Sequence, residues 1–145
     1  MFRELDDAGA VGAVLASLGD VARDAGDARS ARRWYRQALR SEQNRADKRH
    51  VAFLLEEIAA TAALDGDGRL ALLNLGAASS LREEISAPQL PVEQATLARI
   101  LTPVLAALST EERQDALAAG RSRPLPEVIA HALGELPPPT PPGPS

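Results

Sequence analysis

The residues that could do chemistry in this sequence are few and scattered. Residues 65–68, Asp-Gly-Asp-Gly, match the opening of a calcium-binding loop, but Arg69 and Gly76 stand where that loop needs a further oxygen ligand and its final glutamate. His50 and His131 have no metal-ligand or acid–base partner at a suitable spacing, so we expect surface or interface histidines. We therefore expect neither a metal site nor a cofactor.

The sequence also lacks the motifs of common catalytic classes. It has no cysteine, no glycine-rich loop followed by Lys-Ser or Lys-Thr, and no nucleophile elbow around a serine. We therefore expect a protein that is not an enzyme. No signal peptide and no apolar run long enough to cross a membrane can be recognised. We therefore expect a cytoplasmic protein that does not bind a membrane.

The strongest pattern is an internal repeat, in which residues 15–38 are echoed by residues 55–78. Gly26 and Gly66 set the offset at 40 residues. The matching pairs are Leu15/Leu55, Leu18/Ile58, Gly19/Ala59, Ala22/Ala62, Gly26-Asp27/Gly66-Asp67, Ala31/Ala71, Tyr35/Leu75 and Ala38/Ala78. A period of this length is typical of helical repeats, in which each unit buries its apolar stripe against its neighbours.

Helical spacing of apolar residues and the turn residues between them predict seven helices. Gly26 should end the first helix and Asp27 should cap the second. Pro103 should kink or split the fifth, and Ser109 with Glu112 should form a capping box at the sixth. The predicted helices are residues 10–25, 28–42, 50–64, 69–84, 92–108, 110–119 and 126–133.

These elements predict an all-α fold of antiparallel helix pairs, stacked as a short right-handed solenoid with a divergent C-terminal helical cap. The expected regions are 1–9, a remnant of a preceding repeat or a linker; 10–44 and 45–88, two repeats; 89–136, the cap; and 137–145, a disordered proline-rich tail.

The repeat resembles the tetratricopeptide repeat. The residues at its spacing are Leu15, Leu18, Gly19, Ala22, Gly26, Ala31, Tyr35 and Ala38. More narrowly, FRELDD at the start, LREEISAP at residues 81–88, and Gly120-Arg121 with LPEVIAHAL are similar to the C-terminal repeats of large ATP-binding LuxR-type transcriptional regulators. The resemblance implies a protein-interaction module within or beside a transcriptional or signalling regulator, either as part of a longer chain or free-standing.

The resemblance also implies a peptide-binding groove, because the first helix of each such repeat lines the concave face. The corresponding positions here are Asp20, Arg23, Asp24, Phe53, Glu56 and Ala60. In such a groove, the phenylalanine would be an apolar anchor for the peptide, and the charged residues around it would orient the peptide. The alternative is that Phe53 only fills space between the two repeats.

A basic face on the second helix offers a different function. Residues 28–50 hold seven arginines and Lys48 against Glu42 and Asp47, a local net charge of +6 in a chain of net charge −4. Steps of 4, 3 and 4 residues place four of the arginines on one side: Arg29, Arg33, Arg36 and Arg40. This face could bind nucleic-acid phosphates or another acidic ligand. The alternative is that it is only the solvent-exposed side of the helix.

The first helix has no preceding repeat to cover its apolar residues Val11, Val14 and Leu18. We expect a second copy of the chain or another domain to cover them, which allows a homodimer. The alternative is that residues 1–9 fold back as a cover. On the second helix, we expect Tyr35 to be core and Trp34 to be partly exposed.

Overall fold

The computed structural model describes residues 2–42 and 47–135, with side chains from residue 10 onward. Every regular element in these residues is a helix, which confirms the all-α class. The helices are α1 (Phe2–Asp24), α2 (Ala28–Glu42), α3 (Lys48–Leu64), α4 (Gly68–Ile85), α5 (Pro91–Leu105), α6 (Thr110–Ser122) and α7 (Leu125–Ala132). Within the described part of the chain, no helix has the length and apolar character needed to cross a membrane. The predicted tail, residues 137–145, lies outside the described residues.

The same turn joins α1 to α2 and α3 to α4. Gly26 and Gly66 take φ values of +80° and +83°, which L-residues with a Cβ rarely adopt. Asp27 and Asp67 then accept a hydrogen bond from the backbone N–H three residues on, at 3.1 Å and 3.0 Å. These caps satisfy free amides at the start of α2 and α4. Two helix hairpins therefore form at the positions that the repeat predicts.

Residues 2–9 are helical and continuous with α1, so the expectation of a linker or of a segment folded back over α1 is wrong. The helix is therefore longer than predicted and begins at Phe2.

Pro103 lies in the last turn of α5, which is not split and ends at Leu105 rather than at residue 108. Proline removes one backbone donor and so breaks only one helical hydrogen bond near the end of the helix. The capping box at α6 is present as predicted: the Ser109 hydroxyl accepts from Glu112 N at 3.0 Å, and the Glu112 carboxylate accepts from Ser109 N at 3.1 Å.

The main core lies between the two hairpins. Tyr35 and Leu39 of α2 and Leu54 and Leu55 of α3 are fully buried. Trp34 is half-buried, as predicted from its place beside the buried stripe. A second apolar cluster joins α3, α4 and α5 around Ala59 and its neighbours Ala62, Ala63, Ala71 and Leu101.

The last two helices return to cover α4 and α2. Gly76 of α4 and Gly120 of α6 lie where the two backbones meet, because a Cβ at either glycine would collide with a carbonyl oxygen of the other helix. Helix α7 adds Val128 and Ala132 to the main core. The Arg36 guanidinium of α2 donates from Nε to the carbonyl of Ala132 at 2.9 Å, at the C-terminal end of α7.

Candidate ligand-binding site

Helices α1, α3 and α5, with Gln89 just before α5, line a cavity of about 160 Å³ that is open to solvent, which we call the Glu57 cavity. Its lining residues are Asp20, Arg23, Phe53, Glu56, Glu57, Ala60, Gln89, Val92, Glu93, Thr96, Leu97 and Ile100. Five of the six groove positions taken from the repeat resemblance are in this set. The sixth, Asp24, is not in the lining; its side chain is 77% exposed and lies 3.8 Å from Arg23 Nε.

A polar network joins three lining residues of the Glu57 cavity, Asp20, Arg23 and Glu57, to the buried Tyr35. The Tyr35 hydroxyl is 2.6 Å from Asp20 Oδ1 and 2.9 Å from Glu57 Oε2, so its single proton can be donated to either carboxylate. Arg23 Nη1 donates to Glu57 Oε2 and lies 3.9 Å from Asp20 Oδ1. Helices α1, α2 and α3 therefore contribute to one network, which holds Asp20 and Glu57 in the lining of the cavity.

The pKa of the Glu57 carboxyl is raised to about 8, first by burial and then by the neighbouring Asp20, against the opposing effects of Arg23 and Tyr35. Burial, followed by the negative charge of Glu57 and the hydrogen bond to Asp20, also raises the pKa of Tyr35. Glu57 can thus hold a proton near neutral pH and give it up when a positive charge enters the cavity.

A second, larger cavity of about 720 Å³ adjoins the first, and we call it the His50 cavity. The two share Phe53 and Glu93. The Phe53 ring stacks on the His50 ring with centroids 5.9 Å apart. The other residues lining the His50 cavity are Asp47, Arg49, Arg82, Ser86, Ala87, Pro88 and Leu90. Phe53 is therefore half-buried between two openings, and its ring packs against the main core as well.

Glu56 has a structural partner that the sequence did not predict. It is 4% exposed, and its two carboxylate oxygens accept from Arg82 Nε at 2.6 Å and Nη2 at 2.9 Å. Arg82 also donates to the Ala87 carbonyl at 2.9 Å, which holds the segment between α4 and α5. Ala60 is fully buried. Glu56 and Ala60 therefore form buried parts of the cavity wall, whereas Asp20, Phe53 and Val92 have side chains that a ligand can contact.

Glu57 was not among the residues taken from the repeat. At the offset of 40 residues it matches Ser17, so the comparison of the two repeats gives no sign of it. The buried Tyr35 hydroxyl was the available signal, because a buried phenol needs a hydrogen-bond partner.

The predicted basic face is divided in the structure. Arg29, Arg33 and Arg40 are exposed, whereas Arg36 is half-buried against the end of α7. Arg40 Nη2 lies 3.5 Å from the Leu133 carbonyl. Arg32, on the same helix, pairs with Asp65. Part of the positive charge of α2 is therefore used to hold neighbouring segments.

The two histidines, which the sequence places at a surface or an interface, both contact other parts of the same chain. His131 is 7% exposed in α7, and burial followed by the nearby Arg123 and Arg36 lowers its pKa. His50 is half-buried, and its Nδ1 lies 2.7 Å from Oε1 of the fully buried Glu42. The sequence did not predict these positions because both depend on contacts between separate helices.

Comparison of the chain with models of protein families, with curated proteins and with solved structures gives no match. The assignment of function therefore depends on the geometry of the two adjoining cavities.

Proposed function

We propose that this chain is a noncatalytic protein-interaction module that binds a peptide across the Glu57 and His50 cavities. The observation that carries the proposal is the shared wall of the two cavities. Phe53 and Glu93 belong to both, so an extended peptide could cross from one to the other over the phenylalanine ring. A concave surface with an aromatic anchor and a few polar groups is the usual form of a recognition site.

The lining favours a peptide that carries an apolar residue next to a basic one. The apolar contacts come from Phe53, Leu90 and Val92, of which Leu90 is 61% and Val92 69% exposed. Four carboxylates line the Glu57 cavity, and two guanidinium groups of the described residues contact them: Arg23 contacts Glu57, and Arg82 contacts Glu56. A lysine or arginine side chain of the peptide would add positive charge to this acidic lining. The four carboxylates are Asp20, Glu56, Glu57 and Glu93.

We further propose that α1–α4 form two tetratricopeptide-like repeats that belong to, or act beside, a transcriptional or signalling regulator. Three observations support the assignment of two tetratricopeptide-like repeats. They are the repeat of 40 residues, the two hairpins with matching Gly-Asp turns, and the packing of α2 on α3. The proposed link to a regulator depends on the similarity of FRELDD, LREEISAP and LPEVIAHAL to the C-terminal repeats of LuxR-type regulators.

The test begins with peptides selected from a random phage-displayed library on the immobilised full chain. Selected peptides are synthesised with a fluorophore, and their affinity is measured by fluorescence anisotropy. Val92→Arg should weaken binding about tenfold or more, which corresponds to about 1.4 kcal/mol. The substitution removes an apolar contact and places a positive charge where the proposed peptide carries its own.

Val21→Arg is the matched control, because Val21 is also a helical valine with 69% exposure but its side chain lines neither cavity. It should leave peptide affinity unchanged. Selected peptides that lack basic residues would contradict the proposed ligand chemistry. Peptides that bind the Val92→Arg variant as tightly as the original chain would contradict the site itself.

A further inference from the structure

We infer that the outer face of α1 is a dimer interface, on which a second copy of this chain packs its own α1 in the antiparallel direction. The face carries four large apolar side chains that are exposed in the single chain. They are Val11 at 51%, Val14 at 59%, Leu18 at 40% and Val21 at 69% exposure. They follow one another at steps of 3, 4 and 3 residues, which is the spacing of a seam between two packed helices.

The opposite side of α1 is occupied by its own hairpin partner. Gly12, Ala16 and Gly19 are buried, and Gly19 faces the Tyr35 ring of α2. The exposed seam is thus the side turned away from the core. Since residues 2–9 continue α1 as a helix, they do not fold back over this seam.

The pattern suits a second copy of the chain as the occupant, because the spacing of the four residues is the same when the helix is reversed. Val11 and Val21 lie five residues on either side of position 16, and Val14 and Leu18 lie two residues on either side. In an antiparallel pair centred at this position, Val11 faces Val21 of the second copy and Val14 faces Leu18. Such a two-fold contact uses the same patch on both copies.

The side chains around the seam also fit close packing of two helices. None of the exposed residues between positions 10 and 19 is charged, and the smaller ones are Ala10, Ala13 and Ser17. Packed helices lie about 8–10 Å apart between their axes, and small side chains beside the seam allow a distance near the lower limit. No charged residue of this stretch would be buried without a partner.

The size of the seam predicts a weak, concentration-dependent dimer. A standard stable interface uses about 20–30 residues on each side, whereas this face offers seven exposed residues from position 10 to position 21. We therefore expect a mixture of monomer and dimer at micromolar concentrations, and not a permanent dimer.

The first experiment is sedimentation equilibrium of the full chain over a series of concentrations. The original chain should show a monomer–dimer equilibrium, and Val14→Glu should shift it at least tenfold toward monomer, because each dimer would bury two unpaired carboxylates. Val92→Glu is the control on an exposed valine of α5, and it should not change the equilibrium. Circular dichroism shows whether each variant keeps its helices.

The second experiment determines the direction of packing by disulfide formation. The chain has no cysteine of its own, so only the introduced cysteines can form a disulfide. A mixture of the Val11→Cys and Val21→Cys variants should form a disulfide between the two species. Neither variant should crosslink to itself, because its two cysteines would be about 15 Å apart along the helix axis, beyond the Cα separation of about 7 Å that a disulfide allows.

Three outcomes would overturn the inference. Monomer at all concentrations would show that the face does not bind a second copy. A dimer that persists unchanged in Val14→Glu would place the contact elsewhere. Crosslinking of Val11→Cys to itself would show parallel packing. None of these outcomes bears on peptide binding, because α1 residues 11, 14, 18 and 21 line neither cavity.

Discussion

Gly19 of α1 lies against the ring of Tyr35 of α2, so closely that a Cβ at position 19 would be 2.5 Å from the Cε1 atom of the ring. The ring is fully buried. In the second repeat the same two positions hold Ala59 and Leu75. The larger residue on one helix is thus matched with the smaller residue on the other in both hairpins.

We expect Gly19→Ala to lower the free energy of unfolding by about 1–3 kcal/mol through overpacking. Urea denaturation followed by Trp34 fluorescence measures the change. In an unhindered helix the same substitution would stabilise by about 0.5–1 kcal/mol, and Ala95→Gly at an exposed position of α5 calibrates that effect. The double variant Gly19→Ala with Tyr35→Leu should show a favourable coupling energy. Simple additivity of the two changes would contradict the steric explanation.

The carboxyl of Glu57 should make the stability of the protein depend on pH. Its pKa is about 8 in the folded protein against an ordinary value of 4.5, so between these values the folded state holds a proton that the unfolded state has released. The free energy of unfolding should therefore fall as pH rises from about 5 to about 8, by at most about 1.4 kcal/mol per pH unit. Glu57→Gln cannot ionise and should remove this slope, as measured by urea denaturation at several pH values.

Glu83→Gln is the control for the Glu57 experiment. Its hydrogen bond with Arg121 lowers the pKa of Glu83, so its contribution to stability is lost only as pH falls below the ordinary glutamate range. Its replacement should leave the slope between about pH 5 and pH 8 unchanged. A Glu57→Gln variant that keeps the slope of the original chain would show that Glu57 is ionised throughout this range.

Glu56→Ala should destabilise the protein and not merely alter a binding surface. Glu56 and Arg82 are both buried, and removal of one partner of a buried ion pair costs about 3–5 kcal/mol. The exposed pair of Lys48 and Glu84 is the comparison, since Glu84→Ala should cost no more than about 1 kcal/mol. Thermal and urea denaturation of the two variants measure the difference. Equal costs would mean that the Glu56 pair is solvated.

Arg36→Ala should loosen α7. The Arg36 guanidinium donates to the Ala132 carbonyl at the end of that helix, where carbonyl groups have no partner within the helix. A hydrogen bond to a charged group is worth about 1.5–3 kcal/mol, so amide hydrogen exchange in α7 should become about tenfold faster or more. Arg33→Ala, at an exposed position one turn earlier, should leave exchange unchanged. Equal protection in both variants would show that apolar packing alone holds α7.

We expect no binding of a short DNA duplex at low salt. The predicted basic face has only Arg29, Arg33 and Arg40 exposed, and Arg36 contacts α7. An electrophoretic mobility assay over a salt series tests this expectation. A complex that weakens steeply with salt, and that is lost when Arg29 and Arg33 are replaced by alanine, would restore nucleic-acid binding as a function.

The parts of the fold that the sequence predicted well are those set by local chemistry. Gly26 and Asp27 mark one turn, Gly66 and Asp67 mark the next, and each helix boundary there follows from backbone geometry and capping. Of the six groove positions taken from the repeat resemblance, five line one cavity, because α1 and α3 both contribute to its wall. These predictions need no knowledge of distant contacts.

The parts that the sequence did not predict depend on contacts between segments far apart in the chain. Glu57 faces Tyr35 only because α3 packs on α2, and Arg82 reaches Glu56 only after α4 returns along α3. His131 is buried because α7 closes on the main core. The early start of α1 was missed for a different reason, because acidic residues can belong to a linker or to a helix start.

The close approach of α4 and α6 at Gly76 and Gly120 makes the two repeats different from each other. The position that corresponds to Gly76 in the first repeat is Arg36, and each anchors a C-terminal helix: Arg36 by reaching α7, and Gly76 by leaving room for α6. The two units are therefore no longer interchangeable modules. A copy of the first repeat in place of the second would bring an arginine to a point of backbone contact, so the first repeat cannot take the position of the second beside α6.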